Sequence, residues 1–303
     1  MVYAQILNFG LEKLSHLDNI LLVGAINTLN LNENGFEKIL VPILDDIRKT
    51  NESEKYQIKV KFFAGDTPAS QSLGGFIEAV GNANFPCRDC LIEKKELIEA
   101  KRESDCLLRN YEKTKMQSVV GPYKEGIKRA SQIYKFDDIC NPFDTPQDPM
   151  HVILEGIARR LIIDFFKLWL QEKRTTIIEL NSRFLSFSYN INHKKDKIKI
   201  QLKDQDLYKN ELIISAAQMR LLLVIFPLMF QDIVDRKSKD YKLINLLRKI
   251  TMLVFAHNTK QSQIELLEVY IEKFLSLWET YYGLKSGFPK LHYLVHIPKW
   301  IRK

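Results

Sequence analysis

From Asp148 onward the chain is a succession of long apolar patterns at helical spacing, and no other feature limits the possible folds as much. The patterns run over 149–173, 176–188, 211–235, 240–256 and 262–281. Apolar residues recurring every three or four positions fall on one face of a helix. This part of the chain is therefore predicted to be a large all-helical region. One segment breaks the pattern: residues 196–203 alternate and predict a β-ribbon.

The first 65 residues read differently. Val2 to Leu7 alternates as a strand does, and Ile20 to Ile26 is a short apolar run with polar flanks, which predicts a buried strand. Phe36, Ile39, Leu40, Ile43, Leu44 and Ile47 share one helical face, predicting a helix over 34–50. Asn34 and Glu37 have the spacing of a capping box, and Pro42 should kink the helix. Gln57 to Ala64 alternates again, giving the order β, β, α, β. The fold class predicted is α+β, mostly helical. A small mixed sheet portion (1–85) leads through an irregular connection (86–147) into the helical domain (148–303). The irregular stretch carries "VVGP" and "NPFDTPQDP", both breaker-rich.

Composition matters for what the chain touches. With 303 residues, 46% hydrophobic and 27% charged, it has the make-up of a soluble globular protein. No run approaches the roughly 18 apolar residues of a membrane span, and the longest, Leu221 to Phe230, contains Pro227. The opening "MVYAQILNFG" lacks the basic-then-apolar pattern of a signal peptide. The net charge of +8 attracts phosphate polymers, and it arises as readily in any Lys-rich chain with solvated faces. Its basic residues cluster in 112–135 and 193–206, where solvated loops are the plainer explanation. Four cysteines in so long a chain make no disulfide scaffold. Cytosol or nucleus is the expected compartment.

Three groups of residues suggest chemistry. Asp66 follows the apolar run 57–64, and a carboxylate at a strand tip can ligate Mg²⁺; a Gly-Asp-Thr-Pro turn also accounts for it. Cys87 and Cys90 are spaced C-x-x-C, as half of a Zn²⁺ site or as a redox pair. His292 and His296 are four apart, so two imidazoles would share a helical face. They could supply the other half of the site or be buried polar side chains. Asp148 precedes Pro149 and reads as an N-cap. Cys106 and Cys140 have no assigned role beyond small buried residues.

Taken in order, several blocks resemble the RNase H-like DDE transposases. "GDTPASQSLGGFIEAVGNANFPCRDC" looks like the segment holding the second catalytic aspartate and the first zinc cysteines of that family. "DPMHVILEGIARRL" (148–161) resembles its D-x-M-H-x-x-x-E-G helix start, and "PKLHYLVHIPKWIRK" (289–303) its histidine segment. Residues 17–49 resemble the strand–helix unit before the second aspartate. The likeness covers nearly the whole chain and extends distantly to Transib transposases and the V(D)J recombinase core. It implies that Asp66 is a catalytic acid and that Cys87, Cys90, His292 and His296 bind a structural zinc ion. It places Asp148 and His151 beside the active site. Mg²⁺ or Mn²⁺ would be the catalytic cofactor, DNA the partner, the nucleus the location, and a homodimer an open option without any membrane.

The likeness also has gaps. In the family the first acid lies upstream of the "VYAQILNF" strand and the third, a glutamate, downstream of the histidines. Glu279 does not sit in the matching position and is expected to face solvent. With one of three acids present, two Mg²⁺ ions roughly 4 Å apart could not be held. The expectation is a transposase-derived fragment, inactive alone, whose sheet would show unpaired edges. The alternative is a domesticated, zinc-stabilised DNA- or protein-binding module.

Overall fold

A computed structural model of the chain describes residues 2–9, 17–25, 37–53, 55, 57–120, 124–141 and 143–303. Asn34 and Phe36, the expected start of the first helix, and Ile26, the expected end of the second strand, lie outside the described residues. The chain divides into two compact units. One comprises Met1–Ala79 and Arg109–Pro146, the other Val80–Leu108 and Gln147–Lys303. The stretch expected to be a single connection (86–147) is thus shared, residues 86–108 belonging with the helices.

In the first unit, β1 (Val2–Gln5) pairs antiparallel with β2 (Ile20–Gly24), Ala4 opposite Leu21 and Gln5 opposite Ile20. Helix α1 (Glu37–Glu52) follows and is unbroken at Pro42. Its apolar stripe buries Leu40 and Leu44 against Leu73, Ile133, Phe136 and Ile139. The expected third strand, 57–64, forms no ladder among the described residues. Its alternation does not translate into one buried face: Val60 and Phe63, three apart, pack on that core, while Ile58 is exposed. Its backbone is instead tied at single points: the Val60 N–H donates to the Ile139 carbonyl and the Phe63 N–H to the Asp144 carbonyl, each at 2.9 Å. Helix α2 (Thr67–Leu73) starts directly after it. At its end Gly75 has φ +77°, and a Cβ there would lie 2.2 Å from the Arg129 carbonyl oxygen. Only glycine fits this position, because the left-handed backbone and the close approach coincide. Its own carbonyl accepts from the Lys128 and Arg129 N–H groups. Helix α3 (Tyr111–Val120) completes the unit.

The second unit holds the main core. A π-helical stretch, Met150–Ala158, runs into α4 (Arg159–Gln171). Then come α5 (Ile177–Ser186), α6 (Asp204–Tyr208), α7 (Ala216–Met229), α8 (Lys239–Val254) and α9 (Gln261–Tyr282). Two short helices, α10 (Pro289–Tyr293) and α11 (Ile297–Arg302), are joined by the 3₁₀ turn Leu294–His296. The predicted apolar faces meet around Trp169, whose ring packs on Phe165, Phe166, Phe226 and Phe230. Helix α7 begins at Ala216 rather than 211 because Ser215 and Gln218 cap it reciprocally.

The predicted β-ribbon at 196–203 is not a strand. Ile198, Ile200 and Leu202 are buried, so the alternation correctly marks one inward face. The backbone partner is a side chain: Asn181 donates to the Leu202 carbonyl (2.9 Å) and accepts from its N–H (2.7 Å). Gln218 likewise donates to the Lys197 carbonyl. These side-chain amides take the place of a neighbouring strand. Glu279, expected in solvent, is half-buried and pairs with Lys101 at 2.5 Å.

Candidate metal centre

Cys87 and Cys90 occupy a non-helical loop. The Asp89 N–H points at Cys87 Sγ (3.4 Å), and Cys90 is bridged to Leu108 in a short antiparallel contact. The two histidines come from the other end of the chain. Pro289 occupies the first turn of α10, suited to its fixed φ and missing N–H. The helical turns from α10 into Leu294–His296 then set His292 and His296 on one face. The Tyr293 hydroxyl donates to the Pro86 carbonyl at 2.8 Å, fastening this segment beside the cysteine loop.

All four side chains are buried, and their donor atoms lie within 4.8 Å of one another. Among the described residues no other group of three or more His, Cys, Asp or Glu side chains is so placed. The finer distances decide what fits. With Zn–N near 2.05 Å and Zn–S near 2.3 Å, a tetrahedral ion needs about 3.3 Å between two nitrogens and about 3.6 Å between nitrogen and sulfur. His292 Nε2 is 3.3 Å from His296 Nε2 and 3.2 Å from Cys90 Sγ. The nitrogen–nitrogen separation matches a tetrahedral zinc ion and the nitrogen–sulfur separation is about 0.4 Å short of it; four buried Cys and His donors suit the closed arrangement of a structural site.

Surrounding groups prepare the ligands. His296 Nδ1 is 3.0 Å from Glu103 Oε1. A carboxylate only accepts, so Nδ1 carries a hydrogen, and Nε2 is the nitrogen left to face an ion. Lys299 lies 3.7 Å from the same Glu103 oxygen and 3.6 Å from Asp89. Burial alone would raise the Asp89 carboxyl, but His296, Arg88 and Lys299, with a hydrogen bond from Gln147, hold it below its usual range. Burial raises the Cys87 thiol. Cys90 is raised chiefly by its hydrogen bond with Cys106, with burial adding to it. Burial opposes the charged form of His296, but Cys87, Asp89 and Glu103 outweigh it and push the imidazole up to about 10.

Without metal, then, Cys87 and Cys90 hold their protons near neutrality, and zinc must displace them. Binding should release at least two protons per ion, one from each thiol, and tighten as pH rises. Calorimetry at pH 7 in buffers of different ionisation enthalpy measures this number; release of fewer than one would contradict the assignment. Replacing Glu103 with Ala should weaken zinc binding about 10- to 100-fold in competition with a chromogenic chelator. Glu103→Gln, which keeps an acceptor oxygen, should lose less. Equal affinity in all three proteins would remove Glu103 from the site.

Glu103, Asp89 and Lys299 give no sequence signal, being ordinary charged residues in loops and a terminal helix. Cys106 does give one. It follows Cys90 after fifteen residues, a spacing common in zinc-binding cysteine patterns, and it lies against Cys90.

The other predicted residues are placed as follows. Asp66 lies in the first unit, whereas the zinc ligands, Asp148 and His151 lie in the second. Asp66 caps α2: its Oδ1 accepts from the Ala69 N–H at 2.8 Å and its carbonyl from the Ser70 N–H at 2.9 Å. It begins a helix and does not close a strand. Asp148 also caps, accepting from the Met150 N–H at 2.9 Å. Its second oxygen is 2.5 Å from His151 Nδ1, and His151 Nε2 faces Glu155 at 3.5 Å. Capping and contact with His151 thus coexist in one side chain.

Fold and site together define a mostly helical α+β protein with a buried Cys₂His₂ centre suited to zinc. No protein-family description matches the chain, and no curated protein or solved structure matches it.

Proposed function

We propose that this chain is the zinc-organised part of a DDE-type transposase or recombinase lineage with an RNase H-like ancestry, and that it works by binding DNA. One observation carries the reading. Cys87 and Cys90 meet His292 and His296 across 202 residues between Cys90 and His292, in the pairing that the sequence resemblance implies. Such a site fixes two distant parts of a chain and leaves no open position for substrate. Its role is to hold shape. The net charge of +8 supplies the general attraction to a phosphate polymer.

Strand transfer in that lineage uses Mg²⁺ or Mn²⁺ on three acids, of which Asp66 matches one. The role proposed for this chain is the binding half of that work, in the nucleus. Fluorescence anisotropy of the zinc-loaded chain with labelled DNA, at 50 and 200 mM salt, tests it. Binding at 50 mM that weakens steeply by 200 mM is the expected result. No binding at 50 mM would reject it.

A further inference from the structure

The second unit carries a cationic groove that the zinc site does not explain. It lies between α7 and α8, has a volume of about 340 Å³, and is lined by Arg220, Arg248 and His257 over an apolar floor that includes Leu223, Met252 and Phe255. Elsewhere Arg48, Arg102, Arg174, Arg183 and Arg302 each hold a carboxylate at 2.5–2.6 Å. Arg220 and Arg248 hold none among the described residues. Arg220 lies over the Phe255 ring at 5.4 Å, and Arg248 reaches only the Asn245 amide oxygen at 3.4 Å. Arg248 Nε is buried and has no hydrogen-bond partner.

The local sequence keeps acids away. Helix α7 contains none, and none occurs from Tyr241 to Gln263, a stretch that includes Lys242, Arg248, Lys249, His257 and Lys260. A plainer role for the two arginines would be to bond the last carbonyls of α8, as cations near a helix C-terminus do. Neither does so. Both guanidinium groups line the groove without a carboxylate partner among the described residues, and an anionic oxygen there would pair with them. Phosphate suits two such forks better than a single lysine would.

The floor narrows the ligand. Phe255 and the half-exposed Met252 offer apolar surface beside the cations. Duplex DNA presents phosphates but keeps its bases stacked inside, and would leave this floor wet. An unpaired nucleotide brings a phosphate and a flat base together, the combination used by grooves that bind single strands. We infer that this groove binds one nucleotide unit of single-stranded DNA, with its phosphate on Arg220 and Arg248 and its base against Phe255 and Met252. The inference rests on the DNA-binding reading above.

The test is anisotropy with a labelled oligothymidylate across a salt series, using the zinc-loaded chain and variants whose zinc content matches it. Arg220→Ala and Arg248→Ala should each weaken binding about tenfold, and removing both should flatten the salt dependence by about 0.7 in log–log slope, the value for the one phosphate they share. Phe255→Ala should weaken it about tenfold at unchanged slope, because stacking releases no counterions. Lys194→Ala with Lys195→Ala, in the basic loop at 193–206, removes only general charge and should weaken binding less than either arginine change. If the unaltered chain binds while both arginine variants bind equally well, the groove assignment falls and the DNA-binding reading stands. If the unaltered chain binds no DNA, both fall.

Discussion

Replacing Cys90 with Ser should reduce bound zinc from one ion per chain to nearly none and sharply lower the stability of the second unit. Serine nearly preserves the volume at this fully buried position, so the cost comes from the metal and not from a cavity. Structural zinc contributes on the order of 10 kcal/mol in small peptides. A loss here of about 5 kcal/mol would consume most of the margin of an ordinary domain. The change should appear as early melting, easier proteolysis within 80–108 and 289–303, and loss of zinc by metal analysis. A chelator added to the unaltered chain should reproduce it. Cys140→Ser provides the control: that thiol is buried in the first unit, where it donates to the Phe136 carbonyl. It should keep full zinc. A Cys90→Ser protein that melts normally and retains zinc would remove Cys90 from the centre.

The second large effect lies in the helical core. Trp169 has no exposed surface and touches four phenylalanine rings from α4 and from α7 with its flanking residue Phe230. Trp169→Ala should cost about 3–5 kcal/mol, since transfer loss and cavity add. Trp169→Phe is the informative partner. The buried indole N–H has no hydrogen-bond acceptor, so removing it also removes an unmet donor. The Phe variant should therefore recover most of the stability, within about 1.5 kcal/mol of the original. Denaturant unfolding of both proteins measures this. Equal losses would show that a phenyl ring recovers nothing and that the indole itself is required at this position.

Helices were legible in the sequence because burial imposes a 3.6-residue rhythm over many turns. The aliphatic and aromatic positions of 149–173 and 262–281 mark their inward faces directly. Strands were less legible because alternation reports one buried face and says nothing about what the backbone pairs with. Residues 196–203 alternate and bury that face, yet the Asn181 amide takes the place of a neighbouring strand; residues 57–64 alternate in sequence but bury no single face, and their backbone is tied only to isolated carbonyls. The π-helical turn at Met150–Ala158 left no trace in composition. There Gly156 admits Lys290, whose Cδ would lie 2.5 Å from an added Cβ.

The metal ligands were legible because chelation demands fixed spacing within each half of the site. C-x-x-C brings two sulfurs to one point, and histidines four apart share a face. What joins the halves could not be read from spacing, because Tyr293 and Pro86 make their bond across 207 residues. Asp66 shows the reverse case. Its residue type and position suited a metal ligand, and the same carboxylate suits an N-cap; the helix beginning at Thr67 uses it as a cap.

Zinc K-edge X-ray absorption on the purified chain examines the common point of all this most directly. Two sulfurs near 2.3 Å and two nitrogens near 2.0–2.1 Å around one ion per chain are predicted. A shell of oxygen and nitrogen alone, or a folded chain that carries no zinc after metal-replete purification, would contradict it.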